Sequence, residues 1–361
     1  MRVALVYDRL NKIGGAEQVL VAFHEIYPQA DWYTSVWDPN HAEFSRGWRV
    51  HTSWISKLPF LRNHHEWFPW AMPFIFEAFD FSEYDLVISI GSAESKGIIT
   101  NPDTIHLNYC LTPTRYLYSH KAEYLSNRLY RFIGNYLRKW DLVASTRPDQ
   151  MIAISTQVKK RIKDIYNRDS DIIFPPVETK KYSRVSRKPT TFSLPLNYFL
   201  VVSRLVPYKK IDVLIKAANL AKVNLLVVGE GSEKPELQKL AGPTVHLLGH
   251  VEDQDLPAYY QSCLAYLQAN EEDFGIAMCE AQSAGKPVIA YGVGGARDIV
   301  IPGKTGILLE ENSVDSFAKA LSEFDTMSFV PSDCQQNASR FDKDKWIKQI
   351  KERIDNLCQS T

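Results

Sequence analysis

Short apolar runs alternate along the chain with stretches in which apolar residues recur every three or four positions, and this alternation predicts the elements. Val3 to Tyr7 reads as a strand and Ala16 to Tyr27 as the helix after it. Leu86 to Ile90, Ile105 to Cys110 and Met151 to Ile154 read as further strands, the last leading into a helix over Gln157 to Tyr166. Strands that are apolar at nearly every position and separated by helices belong to parallel sheets covered on both faces, an α/β architecture. The rhythm starts afresh after residue 197, with strands at Tyr198 to Ser203, Leu225 to Val228, Val245 to Leu248, Leu264 to Leu267 and Val288 to Tyr291, and a helix from about Ile211. Between the halves, Phe174-Pro-Pro-Val and then Lys180 to Leu196, rich in Lys, Arg, Ser, Thr and Pro, read as a linker. The expected domains are 1–180 and 181–341. A final helical segment, about 342–361, carries Trp346, Ile350 and Ile354 at helical spacing and can pack on either domain, including back on the first.

Composition agrees with this division. At roughly 150 residues per domain, 361 residues suggest two domains. The 42 Lys plus Arg are matched by 42 Asp plus Glu, so the chain lacks the overall basic field with which nucleic-acid binders collect phosphates. Seven of the eight tryptophans (Trp32, Trp37, Trp48, Trp54, Trp67, Trp70 and Trp140) precede the linker, which points to different work for the two halves. Met1 to Asp8 turns polar too early for a signal peptide, and no apolar run approaches the roughly 18 residues of a membrane span. Five scattered cysteines show no metal-site or disulfide spacing. A cytoplasmic protein without a structural metal is expected.

Four segments carry candidate chemistry. Gly14-Gly15-Ala16-Glu17 follows the first strand and opens the first helix, where backbone N–H groups and the helix dipole favour an anion. The plainer alternative is a tight βα turn with Glu17 stabilising the first helical turn. Ser203-Arg204-Leu-Val-Pro-Tyr-Lys209-Lys210 places two cations at a strand's carboxyl end, a planar fork and a mobile point charge suited to a diphosphate, or else a solvated basic turn. Glu271-Glu272-Asp273-Phe274-Gly275-Ile276 leads into a helix bearing Glu280. Two carboxylates spaced along a groove can accept from the diols of a ribose and a hexose, whereas acids gathered at a helix start for the sake of its dipole are the alternative. Gly292-Val-Gly294-Gly295 ends another strand on the same side of the second sheet.

Taken together, Gly14-Gly15, Arg204 to Lys209, Glu272-x7-Glu280 and the Gly292 to Gly295 turn resemble glycosyltransferase family 4, the retaining GT-B enzymes, over nearly the full length. The opening Tyr7-Asp8…Gly-Gly-Ala-Glu17 resembles a bacterial subgroup that builds O-antigen, capsule or exopolysaccharide chains, often with mannose. The resemblance implies two Rossmann-like domains facing across a cleft. It implies that Arg204 and Lys209 bind the donor diphosphate, that Glu280 holds the ribose, and that Glu272 and the Phe274, Gly275 and Ile276 amides hold the donor sugar. Gly14 and Gly15 would face the phosphates from the other domain, and Gly249, His250 and Val251 would hold the base. No metal or other cofactor is implied, because the cations and helix N-termini can neutralise a leaving diphosphate.

Two departures stand out. Many relatives carry a histidine where Tyr109-Cys110-Leu111-Thr-Pro-Thr-Arg115-Tyr116 has Leu111, and neither His106 nor His120 occupies that position. Lys210 stands where relatives frequently have glycine. The implied reaction is transfer of a hexose, mannose from GDP-mannose foremost, to a hydroxyl with retention of configuration; the leaving diphosphate takes the proton, in contrast to the two close carboxylates of a retaining glycosidase.

The expected acceptor is a lipid-linked glycan. Eight aromatics lie between Trp54 and Phe79, and seven Lys or Arg against two acids lie between Arg115 and Arg147. This pairing suggests that the first domain docks peripherally on anionic membrane, with Trp67, Trp70, Arg115 and Tyr116 on the acceptor side. The alternative is that the aromatics fill the core and the basic run is a solvated helical face. Rival functions are a GT-B enzyme using a UDP-sugar, one making sucrose-like or glycolipid products, and a non-catalytic sugar-nucleotide-binding scaffold. A dinucleotide oxidoreductase lacks its G-x-G-x-x-G after the first strand.

Overall fold

Val3–Tyr7 is buried at all five positions and forms β1, an interior strand of a parallel sheet. Its companions are β2 (Asp31–Thr34), β3 (Arg49–Thr52), β4 (Leu86–Gly91), β5 (Ile105–Cys110), β6 (Gln150–Ala153) and β7 (Asp171–Ile172), in the order β3-β2-β1-β4-β5-β6-β7. The computed structural model describes residues 1–12, 14–64, 67–118, 128–184, 195 and 197–360. The chain divides into two units, Met1–Phe174 with Trp346–Thr361, and Pro175–Lys345.

In unit 1 the chain runs from β1 outward to β2 and β3 and then returns to lay β4 on the other side of β1. The carboxyl ends of β1 and β4 therefore flank a topological switch point, the place where open α/β sheets leave a ligand crevice. Asp8, directly after β1, accepts from the backbone N–H groups of Ser92 and Ser95 at 2.8 Å each and ties the two strand ends together. Gly91 is required there, since a Cβ would stand 2.1 Å from Ser95 Oγ. Helix α1 (Gly15–Ile26) buries Val19, Leu20, Ala22 and Phe23, and α2 (Met72–Glu77), α3 (Arg128–Ala144) and α4 (Thr156–Tyr166) add to the covering. Asp141 of α3, buried, pairs with buried Lys96 and also accepts from Thr114 Oγ1, Tyr118 OH and Tyr166 OH. Four donors on one carboxylate offset its desolvation and pin the 112–118 loop to α3 and α4.

Unit 2 begins with α5 (Thr179–Ser183) and carries β8 (Tyr198–Val202), β9 (Asn224–Val228), β10 (Val245–Gly249), β11 (Tyr266–Gln268), β12 (Val288–Tyr291) and β13 (Gly306–Leu309). The order β10-β9-β8-β11-β12-β13 is again all parallel in its pairings, with the switch point between β8 and β11. Phe199, Val201, Leu225, Val227, Leu267 and Ile289 bury one face of the sheet against α6 (Ile211–Ala221) and Phe317. Helix α7 (Ile276–Ser283) follows β11.

Two expectations change, and one left open is decided. The division falls after Phe174 rather than at residue 180, because Val177 N–H donates to Phe341 O and Lys180 pairs with Asp344, both within unit 2. The stretch from Lys180, expected as linker, begins as helix α5, whose Tyr182 is buried edge-on against Tyr260 with ring centroids 5.3 Å apart; residues 185–194 and 196 lie outside the described residues. The last helix, α8 (Lys343–Ser360), leaves unit 2 at Lys345 and packs on unit 1. Its Trp346 meets Phe23 edge-on at 4.8 Å and donates from Nε1 to Tyr109 OH at 3.2 Å, with Ile350 and Ile354 buried along the same stripe.

Candidate functional site

The unit 2 switch point brings together the cations and the acids that the sequence separates by more than sixty residues. Lys209, on the loop after β8, forms an ion pair with Glu272 on the loop after β11, and both side chains are mostly buried. Glu272 Oε1 also accepts from Asn270 Nδ2 at 3.1 Å; Gln268 donates to Asn270 Oδ1, and Tyr266 OH donates to Gln268 Oε1 at 3.0 Å. A polar chain thus runs back along β11 beneath the carboxylate and fixes its position. Arg204 stands exposed at the end of β8, donating from Nη2 to Tyr208 OH at 2.6 Å. Its loop is clamped by the turn after β9: Leu205 N–H donates to Glu230 O at 2.9 Å, and a Cβ on Gly231 would lie 2.2 Å from Leu205 O.

Glu280, one turn into α7, is buried and accepts from Tyr260 OH at 2.8 Å; Tyr182 hydrogen-bonds to it from α5. Burial first, and then the Glu280 charge, push both phenols well above their ordinary range, so they remain protonated donors. The Tyr266 phenol is raised by burial and then by the charges of Glu272 and Glu280.

Between the two acids the chain turns at Gly275, with φ +104° and no side-chain cap on the helix start, while the Phe274 ring is buried edge-on against Phe341. The ring thus faces the interior and the start of α7, at Gly275 and Ile276, stays half-buried and uncapped. The glycine turn after β12 seats against this loop: Gly295 N–H donates to Glu272 O at 2.8 Å, and a Cβ there would stand 1.9 Å from Phe274 O. Its glycines serve close packing of two loops. Gly249, with φ +75°, accepts from Gly229 N–H at 2.7 Å and lies against the Glu230–Lys234 ion pair; His250 is exposed, 3.5 Å from Glu252, and Val251 is half-buried.

The remaining candidates belong to unit 1. Gly14 and Gly15 open α1 at the carboxyl end of β1, with Gly14 in extended backbone, and both are exposed. Tyr116 OH donates at 2.5 Å to Glu94, a buried carboxylate after β4 that also pairs with Arg9 Nη2 at 3.1 Å; Arg115 is half-buried beside it. Trp67 and Trp70 are exposed. His106 is in the core, its Nε2 2.8 Å from Ser89 Oγ, and His120 lies outside the described residues. Asp8, Arg9 and Glu94, and Tyr260 and Tyr182 in unit 2, were not among the sequence candidates. An acid within three positions of the end of an apolar strand is the signal that marks Asp8, directly after β1, and Glu94, three past β4. Among the described residues no group of three His, Cys, Asp or Glu is placed to hold a metal ion.

Residues 183–341 match the family model for glycosyl transferases group 1. The match falls within unit 2 and takes in all six of its strands. An uncharacterized glycosyltransferase of Methanocaldococcus jannaschii is 25% identical to this chain over 215 residues, 58% of each protein. A GDP-mannose-dependent alpha-mannosyltransferase of Mycolicibacterium smegmatis is 37% identical over 121 residues, 33% of this chain and 31% of the relative. The aligned region thus spans about half the length of the curated relatives or less. Among solved structures, Anabaena HepE in complex with UDP superposes with a TM-score of 0.73 at 19% identity, covering 99% of this chain and 100% of HepE. Sucrose-phosphate synthase of Thermosynechococcus elongatus gives 0.69 at 18%, covering 100% of both chains. At these identities the likeness is one of fold, and it takes in both parallel-sheet units.

Proposed function

We propose that this group 1 protein transfers a hexose from a nucleoside diphosphate sugar to a hydroxyl of a lipid-linked glycan in cell-surface polysaccharide synthesis, with retention of configuration and without a metal. The observation that carries the reading is the pair of side chains bridging the β8/β11 switch point, Lys209 on Glu272, with Arg204 exposed beside it. Without donor, Glu272 neutralises Lys209. A diphosphate draws the ammonium away and joins it with the Arg204 fork, and the freed carboxylate accepts from sugar hydroxyls. Glu280, held by two protonated phenols, takes the ribose diol, and the start of α7 adds backbone donors. As the glycosidic bond lengthens, charge accumulates on the diphosphate, where Arg204 and Lys209 stabilise it. The same oxygen then receives the proton of the attacking hydroxyl.

Mannose from GDP-mannose is the preferred donor, supported by the mannosyltransferase relative; a UDP-sugar is the alternative. The family resemblance also assigns Gly14 and Gly15 to the phosphates, and Gly15→Val tests it by its effect on turnover. On the acceptor side Leu111 supplies no imidazole, and Glu94 with Arg9 and Tyr116 is the charged set at the unit 1 switch point. Glu94→Gln is expected to lower transfer while leaving donor binding intact.

The test is a thermal-shift panel of GDP-mannose, GDP-fucose, UDP-glucose, UDP-galactose and UDP-N-acetylglucosamine, followed by nucleotide-release kinetics with the donor that stabilises most. Arg204→Ala is expected to cost about 2.7–4 kcal/mol of transition-state stabilisation, on the scale of a lost oxyanion donor. No stabilisation by any donor, or equal stabilisation and turnover in Arg204→Ala, would sink the reading and leave a non-catalytic role.

A further inference from the structure

Of the eight aromatics between Trp54 and Phe79, only Phe76 is fully buried. Trp54, Phe60, Trp67, Trp70 and Phe74 are all exposed, from 45% at Trp70 to 61% at Phe60 and Phe74. The segment is nevertheless anchored, because Ile55, Ala71, Met72 and Ile75 form a buried cluster with Val36. Its inward face is already satisfied, and the outward aromatics are surplus to the core. Scattered exposed apolar residues are ordinary, whereas five large aromatics within 21 positions call for a partner.

Helix α3 repeats the pattern. Phe132 (74% exposed), Tyr136 and Val143 stand outward at helical spacing, next to exposed Arg131 and Lys139. The helix has a single acid, Asp141, which is buried and taken by Lys96, so among the described residues the charges on its exposed positions, Arg131 and Lys139, are positive. Glu77, at the end of α2, accepts from Trp140 Nε1 at 2.6 Å and from Arg147 Nη2 at 2.5 Å, which joins the aromatic segment to α3 within unit 1.

We propose that this face of unit 1 docks on the surface of an anionic lipid bilayer. The tryptophan and phenylalanine rings enter the boundary between headgroups and acyl chains, and Lys57, Arg131 and Lys139 meet lipid phosphates. Tryptophan suits that boundary because its ring is apolar and its N–H is polar. A second copy of the chain fits less well, because a two-fold contact would set the exposed Arg131 and Lys139 of α3 against their own counterparts. No helix among the described residues is long and apolar enough to cross the bilayer, so the contact is peripheral. The inference needs no donor and stands or falls apart from the proposed reaction.

The full chain would be sedimented with vesicles of phosphatidylcholine containing phosphatidylglycerol as roughly a third of the lipid, and with phosphatidylcholine alone. Binding to the anionic vesicles is expected, weakening as salt rises from about 0.05 to about 0.5 M. Trp67→Ser with Trp70→Ser, and separately Arg131→Glu with Lys139→Glu, are each expected to lower partitioning at least about tenfold. Unchanged melting temperatures would show that both double variants are folded. Failure to bind, equal binding to neutral vesicles, no loss in the variants, or a concentration-dependent dimer abolished by the tryptophan changes would each overturn the proposal.

Discussion

Lys210 occupies the left-handed region, φ +55°, at the start of α6, a conformation that costs a residue bearing a Cβ on the order of 1–2 kcal/mol. This is the position where relatives of the family it resembles frequently carry glycine, and the backbone supplies the reason. Lys210→Gly is expected to raise stability by up to about 1 kcal/mol in urea titration, the gain in the folded state exceeding the added freedom of the unfolded chain. Glu280→Gln keeps the shape of the side chain but removes the charge that Tyr260 and Tyr182 face, and nucleotide-sugar affinity is expected to fall about 10- to 100-fold by calorimetric titration. Arg204, Lys209, Glu272 and Glu280 were legible in the sequence because each sits a few positions past an apolar strand or inside the helix that follows. Their partners were not: nothing local ties Lys209 to Glu272, or Glu280 to Tyr182, since those contacts arise from strand order. The glycine turn after β12 was legible as a turn on the same side of the sheet, but not its role in packing, where Gly295 lets one loop approach another.

At the scale of elements, β1 and β12 were readable to the residue, since strands buried on both faces are continuously apolar; β5 was readable too, although His106 and Asn108 interrupt its apolar run. Strands β2 and β3 were missed: β3 alternates between exposed and half-buried positions at the sheet's edge, and its Arg49 and His51 break the apolar run. β5 also carries a test of the core. His106 is held neutral by burial, and secondarily by the charges of Arg147 and Arg168, its pKa lowered to about 3. Between the ordinary value of about 6.5 and about 3 the unfolded chain binds a proton that the folded one refuses. Stability from this group is therefore intact above about pH 6.5 and lost as pH falls, at up to about 1.4 kcal/mol per pH unit. His106→Gln, which retains a polar group against Ser89, is expected to flatten that slope in urea titrations compared at pH 7, 5.5 and 4. An unchanged slope would mean that other groups dominate acid unfolding.

At the scale of the whole molecule, the alternation of strands and helices announced two parallel-sheet halves, and the boundary shifted only because α5 packs within unit 2. The destination of the last helix was open in the sequence, since an apolar stripe identifies a buried face without naming what buries it. Trp346→Ala is expected to destabilise unit 1 by about 3–5 kcal/mol. Hydrogen exchange should quicken at the β1 and β5 amides while those of β8 to β12 keep their protection. Because α8 closes over Phe23 and Tyr109, unit 2 is threaded into unit 1 as an insertion, joined by two chain crossings. During synthesis the first-made sheet therefore leaves the ribosome with a bare aromatic socket, and some 170 further residues must be translated before its plug emerges. The half that is begun first is thus the half that is finished last, and a nascent chain stalled before Trp346 is the species on which a chaperone would find a foothold.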